Sequence, residues 1–177
     1  DVAQQSGTII SLDGGAQRYD EAMKPITEAS NVVIVARDYA EKYTETTNLE
    51  DACRIIHERG ALIAGITDGA NGSYFVWPDG TAYRCKPFPQ ETVVDTTGAG
   101  DSFHGAFLSR LATSIRQIQL QEGTQLKPID IVQTCKHIVL EEAAIFASAV
   151  SALNTQGIGG RSALPSLKTA LTLAGLE

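Results

Sequence analysis

Between residues 94 and 107 the chain reads Val94-Asp95-Thr96-Thr97-Gly98-Ala99-Gly100-Asp101-Ser102-Phe103-His104-Gly105-Ala106-Phe107. A strand end runs into small residues and then, almost at once, into an amphipathic helix. Gly98, Ala99 and Gly100 put consecutive amides at the helix N-terminus, where unpaired N–H groups and the dipole favour an anion. Asp101 follows in the first turn, beside that anion site. Phosphoryl transfer asks for this pairing: charge neutralised on the moving phosphoryl, and a carboxylate to take the acceptor's proton. A structural cap is the commoner role for an Asp after Gly, and on this segment alone both readings stand.

Two other nucleotide motifs are excluded. Gly100 and Gly105 space like a P-loop, but Ala106 and Phe107 replace its Lys and Ser/Thr. A dinucleotide fingerprint beginning at Gly98-x-Gly100 needs a third Gly where Phe103 stands.

The elements that must position this segment alternate in texture. Residues 8–12, 32–36 and 62–67 are β-branched-rich runs bounded by Gly, Asn and Asp. Between them, residues 19–30 and 48–59 have helical spacing, the second preceded by a Thr47/Glu50 capping box. Strands alternating with helices predict an α/β fold with a parallel sheet covered on both faces. Residues 73–77 and 81–85 flank Pro78-Asp79-Gly80, a hairpin signal. Phe103, Phe107, Leu111 and Ile115 recur at steps of four along the helix after Asp101. The polar stretch 117–127 reads as a loop, and Pro128 opens a helix. That helix is expected to bury Ile131, Cys135, Ile138, Ile145, Ala149 and Leu153. A short last helix begins at about Ser166.

At 177 residues, the chain suits one domain spanning residues 1–177. A net charge of −7 argues against nucleic acid or an anionic membrane as main partner. Cys53, Cys85 and Cys135 are odd in number and widely spaced, so reduced thiols in a cytoplasmic protein are expected. There is no apolar run long enough to span a membrane.

Asp95-Thr96-Thr97-Gly98-Ala99-Gly100-Asp101, with Phe103 and Gly105-Ala106, resembles the C-terminal signature of the PfkB carbohydrate kinases. The resemblance implies a ribokinase-like three-layer fold and ATP-dependent phosphorylation of a sugar hydroxyl. It places the anion hole on Gly98, Ala99 and Gly100, and the catalytic base, which meets the substrate, on Asp101. Thr67-Asp68-Gly69-Ala70-Asn71-Gly72 is similar to the family's nucleotide loop, making Thr67, Gly69 and Gly72 ATP-site candidates. Ser148 falls where the family contacts adenine, and Asp95 and Thr97 where a monovalent cation is held. The cofactors implied are ATP and Mg2+, with K+ as a candidate; the partners are a sugar and ATP, with a homodimer as a candidate assembly.

Phe103-His104-Gly105-Ala106 and Gly159-Gly160-Arg161 are most similar to the branch containing 6-deoxy-6-sulfofructose kinase. Two departures matter. Ala36-Arg37-Asp38-Tyr39 replaces the family's Asn-x-x-Glu, leaving the magnesium ligands unassigned; nearby Asp38 and Glu41 read as solvated helix residues. The resemblance also covers only the family's C-terminal part, without the N-terminal strands, lid and most sugar-gripping residues. A catalytically inactive nucleotide-binding fragment and a related pyridoxal or hydroxymethylpyrimidine kinase therefore stand as alternatives. Asp13-Gly14-Gly15 with Arg18 reads more readily as a structural turn than as a ligand site, and Arg161 as a solvated charge. His57, His104 and His137 read as ordinary helix residues.

Overall fold

The computed structural model of the chain describes residues 2–123 and 126–176. Its elements run α1 (Val2–Ser6), β1 (Ser11–Gly14), a 3-10 turn (Glu21–Met23), α2 (Lys24–Glu28), β2 (Val32–Ala36), α3 (Arg37–Thr44) and α4 (Leu49–Glu58). Then follow β3 (Ile63–Thr67), β4 (Ser73–Val76), β5 (Ala82–Cys85), α5 (Ala99–Glu122), α6 (Pro128–Thr134), α7 (His137–Asn154) and α8 (Leu167–Ala174). The strands lie in sequence order; β1, β2 and β3 are parallel, and β4 and β5 add an antiparallel hairpin.

Period two along the strands sorts the core into two layers. Val32 and Ile34 of β2, with Phe75 and Trp77, pack against Phe103, Phe107 and Leu111 of α5 and Leu140 and Ala144 of α7. Val33 and Val35 point the other way, onto Tyr39 and Tyr43 of α3 and Ala52, Cys53 and Ile56 of α4. The sheet is therefore sandwiched between helices, the three-layer arrangement expected. Phe107 stacks on Phe75 at 5.5 Å between centroids, with both rings fully buried. Truncating an aromatic so placed costs about 3–5 kcal/mol. This packing fixes the direction of α5, and so where its first turn lies.

Several local expectations are corrected. The first strand is not residues 8–12 but Ser11–Gly14, paired Ser11↔Val32 through Gly14↔Val35. Residues 19–30 yield only a 3-10 turn and one short helix. Asn48, not Thr47, caps α4, accepting from the amides of Glu50 (3.0 Å) and Asp51 (3.2 Å). Residues 117–122 continue α5, because Gln and Glu are good helix formers and the stop is Gly123 in the left-handed region. The long apolar stripe is broken where Cys135 and Lys136 are extended, and Ile138 is left 55% exposed. The hairpin turn is as expected: Asp79 accepts from the Thr81 amide at 3.0 Å, and Gly80 takes φ +83°.

Candidate active site

The C-terminal ends of β1, β2 and β3 and the N-terminus of α5 open on the same side of the sheet, where parallel-sheet proteins hold ligands. Two cavities lie there and share Thr67, Gly69, Thr96 and Gly100 in their walls. One, of about 560 Å³, is polar and includes Asp13, Arg18, Asp38, Asp68 and Asp101. The other, of about 450 Å³, is walled by Phe88, Val93, Phe103 and Ala152, with Ser148 and Ser151 among its polar groups.

The turn into α5 explains its own composition. Gly98 caps the helix at φ +74°, a left-handed conformation that disfavours any side chain. Its Cα side faces Gly160, so closely that a Cβ would stand 2.6 Å from the Gly160 Cα. The Ala99 amide is taken by Thr96 O at 3.1 Å, and Ser102 closes the first helical bond to Gly98 O at 2.8 Å. Among the described residues, no backbone carbonyl outside the helix takes the Gly100 or Asp101 amide. Those two are the orphan donors of this terminus. A Cβ at Gly100 would meet nothing within 4 Å, so its bare face looks into the cleft. Asp101 is exposed on the wall of the polar cavity.

The closing loop is bound to this turn. Asp95 accepts from the Thr97 amide and from the Gly159 amide, each at 2.8 Å. These amides, Thr97's first, hold the Asp95 carboxyl below the usual carboxylate range. Asn154, fully buried at the end of α7, donates to Gly160 O at 3.0 Å, while its Oδ1 has no partner among the described residues. Ser148 donates to Lys86 O at 3.3 Å on the apolar cavity's wall. Thr67 and Gly69 stand where the two cavities meet, and Gly72 backs the apolar one. Gly72 adopts φ +92° with the Cys85 carbonyl against its Cα, so only Gly fits there.

Arg37, within the Ala36-Arg37-Asp38-Tyr39 segment, pairs with Glu41 at 2.8 Å and Asp68 at 3.1 Å. Asp38 accepts from the Gln17 amide at 2.6 Å. Asp38, Glu41 and Asp68 are thus already engaged, and among the described residues no three metal-ligating side chains converge.

Asp13 departs from the reading as a simple turn residue. Because β1 runs to Gly14, Asp13 lies inside the strand, paired with Ile34, and its carboxyl opens on the same cavity wall as Asp101. Burial and then the Asp101 charge raise its pKa to about 6, against an opposing pull from Arg18. His104, one turn after Asp101, is buried, and its Nε2 lies 2.9 Å from Ser11 Oγ. His137 is half-buried and meets Asp79 at 2.8 Å, pinning the hairpin turn to α7. His57 Nδ1 contacts Ala61 O at 2.8 Å, an ordinary helix-end contact.

Among known proteins, a bifunctional ribokinase/ribose-5-phosphate isomerase A of Fructilactobacillus sanfranciscensis is 32% identical over 129 residues, covering 73% of this chain and 19% of that protein. Fructokinase-2 of Solanum lycopersicum is 29% identical over 189 residues, covering 98% of this chain and 50% of its own length. The chain thus spans about half the length, or less, of these relatives. A crystal structure of a fructokinase double mutant from Vibrio cholerae O395, in a form bound to fructose, ADP and potassium ion, superposes with a TM-score of 0.75 at 20% identity. That match covers 97% of this chain and 52% of the other, and it establishes the ribokinase-type fold. The family model described as pfkB family carbohydrate kinase matches residues 1–167. By that match and the shared fold, the chain belongs to the pfkB family of carbohydrate kinases.

Proposed function

We propose that residues 1–177 are the ATP-binding and catalytic C-terminal portion of a sugar kinase domain, with Asp101 as general base. The observation that carries this reading is the position of the first turn of α5. Gly100 sits where the polar and apolar cavities meet and Asp101 follows it on the polar side, with free amides and a carboxylate side by side.

Adenine suits the apolar cavity, against Phe88, Val93 and Ala152, with Ser148 at its edge. The phosphates then reach the shared wall, where Gly98, Ala99 and Gly100 form the turn and the orphan amides neutralise charge. The acceptor hydroxyl approaches from the polar cavity. Its oxygen forms a bond to the γ-phosphorus as the bond to the ADP oxygen breaks, and its proton passes to the Asp101 carboxylate.

Magnesium, if bound as in phosphotransferases generally, fits here as an ion that keeps its waters and rides on the phosphates, since the carboxylates of Asp38, Glu41 and Asp68 already have partners. For a monovalent cation such as K+, Asp95 and Thr97 before α5 and the unpartnered Asn154 Oδ1 at the end of α7 supply candidate oxygens.

A second reading is a nucleotide-binding piece that needs the rest of its domain to turn over, favoured by the half-length coverage of its relatives. The test is an ADP-release assay on the full-length kinase across ketoses and aldoses, with Asp101→Asn beside wild type. Sugar-dependent ADP release is expected, and a loss of about 10²- to 10⁴-fold in the variant with ATP affinity kept. An Asp101→Asn enzyme that retains more than about a tenth of wild-type turnover is incompatible with the base role.

A further inference from the structure

Strand and helix periodicities bring four side chains together beneath the cleft. Ser11 and Asp13 are two apart on β1 and so share a face. Asp101 and His104 are three apart on α5 and share a face as well. The two faces meet: His104 Nε2 lies 2.9 Å from Ser11 Oγ, and the Asp13 and Asp101 carboxyls open on the wall of the same polar cavity, the Asp101 charge acting on Asp13.

The lower pair is a fixed clamp. Ser11 Oγ also reaches Val32 O at 3.3 Å. The arrangement that uses both contacts has the hydroxyl donate to that carbonyl and accept from His104 Nε2–H. Burial holds His104 below its ordinary pKa, the Asp101 charge opposing, so the ring is neutral at neutral pH. The clamp then needs no titration to persist. It fixes the height of the first turn of α5 against β1, and with it the distance between the two carboxyls.

Resting on the reading of Asp101 as base, we propose that the base is a carboxyl pair: the proton leaving the acceptor hydroxyl is shared between Asp101 and Asp13, and the His104–Ser11 bond positions α5 so that the two carboxyls meet. The step balances with no further reactant. The acceptor O–H bond breaks as O–P forms, and the proton moves onto an Asp101 oxygen, where the Asp13 carboxylate accepts a hydrogen bond from it. Two carboxylates in contact hold one proton more firmly than either alone. The pair is therefore best used empty before transfer and singly protonated after it.

The charged groups facing Asp13 are Asp101 from α5 and Arg18 from its own loop; Arg37 and Asp38 from α3 line the same cavity. His104 faces Asp101 from within α5. With the Asp13 carboxyl raised to about 6, the pair is empty above that pH and already holds a proton below it. An acid limb of turnover near pH 6 follows, as pH falls.

The test uses the full-length kinase, with kcat, KM for ATP, thermal midpoint and the pH profile of kcat measured for each variant. Asp13→Ala and His104→Leu are expected to lower kcat by about 10- to 100-fold while KM for ATP stays within about threefold. His104→Gln, which keeps a donor towards Ser11, recovers most of what His104→Leu loses. Asp13→Asn cannot share the proton, so its acid limb moves to lower pH than in wild type. Folded Asp13→Ala and His104→Leu enzymes with wild-type kcat, beside an inactive Asp101→Asn, would overturn the pair and leave the base reading standing. An active Asp101→Asn removes the base reading itself. Should either of the first two variants fail to fold, an unchanged acid limb in Asp13→Asn overturns the proposal.

Discussion

Gly98 and Gly160 touch backbone to backbone: a Cβ on Gly98 would lie 2.6 Å from the Cα of Gly160 and 2.7 Å from its carbonyl oxygen. The start of α5 and the loop after α7 therefore form one unit, stitched by Asn154 to Gly160 O at 3.0 Å and by Asp95 to the Gly159 amide at 2.8 Å. The apolar cavity rests on this unit, since Val93, Thr96 and Thr155 are among its walls.

The two glycines of the turn should respond differently to substitution. Gly98→Ala combines a left-handed backbone, worth about 1–3 kcal/mol of strain, with a backbone clash that nothing nearby can relieve by rotating. A lowered thermal midpoint and weakened ATP binding are expected together. Gly100→Val puts its Cβ where, its own helix backbone apart, nothing lies within 4 Å. Its methyls would occupy the cleft instead, so ATP binding and turnover should fall while the thermal midpoint stays near wild type. Thermal melts and ATP titrations of the two variants separate the effects; a Gly100→Val protein with normal ATP binding would move the phosphates away from this turn.

Asp13 makes a stability prediction of definite sign. Its carboxyl pKa is raised from 3.8 to about 6 in the folded chain, by burial first and Asp101 second. Between those values the folded state binds more protons than the unfolded one, so stability falls as pH rises through the window. The cost is fully present above about pH 6 and absent below about pH 4. Asp13→Asn removes it and should raise stability at pH 7–8 by on the order of 1–2 kcal/mol, discounting for partial exposure, with no gain near pH 4. Denaturant melts at the two pH values check this, and a gain of equal size at both would assign it to packing. A stabilising change that slows turnover is the usual signature of a residue kept for function.

How legible this was from sequence depended on how local the determinants are. β2, β3 and the hairpin stand where β-branched runs and Gly/Pro punctuation place them. The first turn of α5 is as local: small residues, Asp101, then Phe103 and Phe107 at helical spacing. The capping of α4 shifted by one residue because Thr47 and Asn48 are both good caps, and only geometry chooses between them. The placement of Asp13 in β1 is not legible because it depends on the register Asp13↔Ile34, which carries the strand past the point where Gly14 and Gly15 signal a turn. The His104–Ser11 contact is hidden for a related reason: the two are brought together by the packing of α5 on β1, and neither residue's neighbours announce it. Polar composition also misled at 117–122, where Gln residues signal solvent exposure and not the end of a helix.

The last prediction concerns the 177-residue chain by itself. Thr67, Gly69, Gly72, Gly100 and Ser148 all lie on the wall of one apolar cavity of about 450 Å³, within the usual range for a small-molecule site. The orphan amides of α5 stand at its inner edge, ready for a phosphate. Adenine nucleotide should therefore bind, though weakly. The acceptor side differs: Asp101 is exposed on an open polar cavity, whose described walls are the ends of β1, β2 and β3, α3 and the start of α5. Nothing among the described residues covers an acceptor from the far side and orients its hydroxyl towards Asp101. Orientation of that kind supplies up to roughly 7–11 kcal/mol of the barrier, and most of it would be unavailable. Calorimetry with a non-hydrolysable ATP analogue should show saturable binding, abolished by Gly100→Val. A coupled ADP-release assay on the same preparation should show no sugar-dependent rate with ketoses or aldoses. Rapid, saturable phosphorylation of any sugar by this chain would mean that the polar cavity already contains everything the acceptor needs.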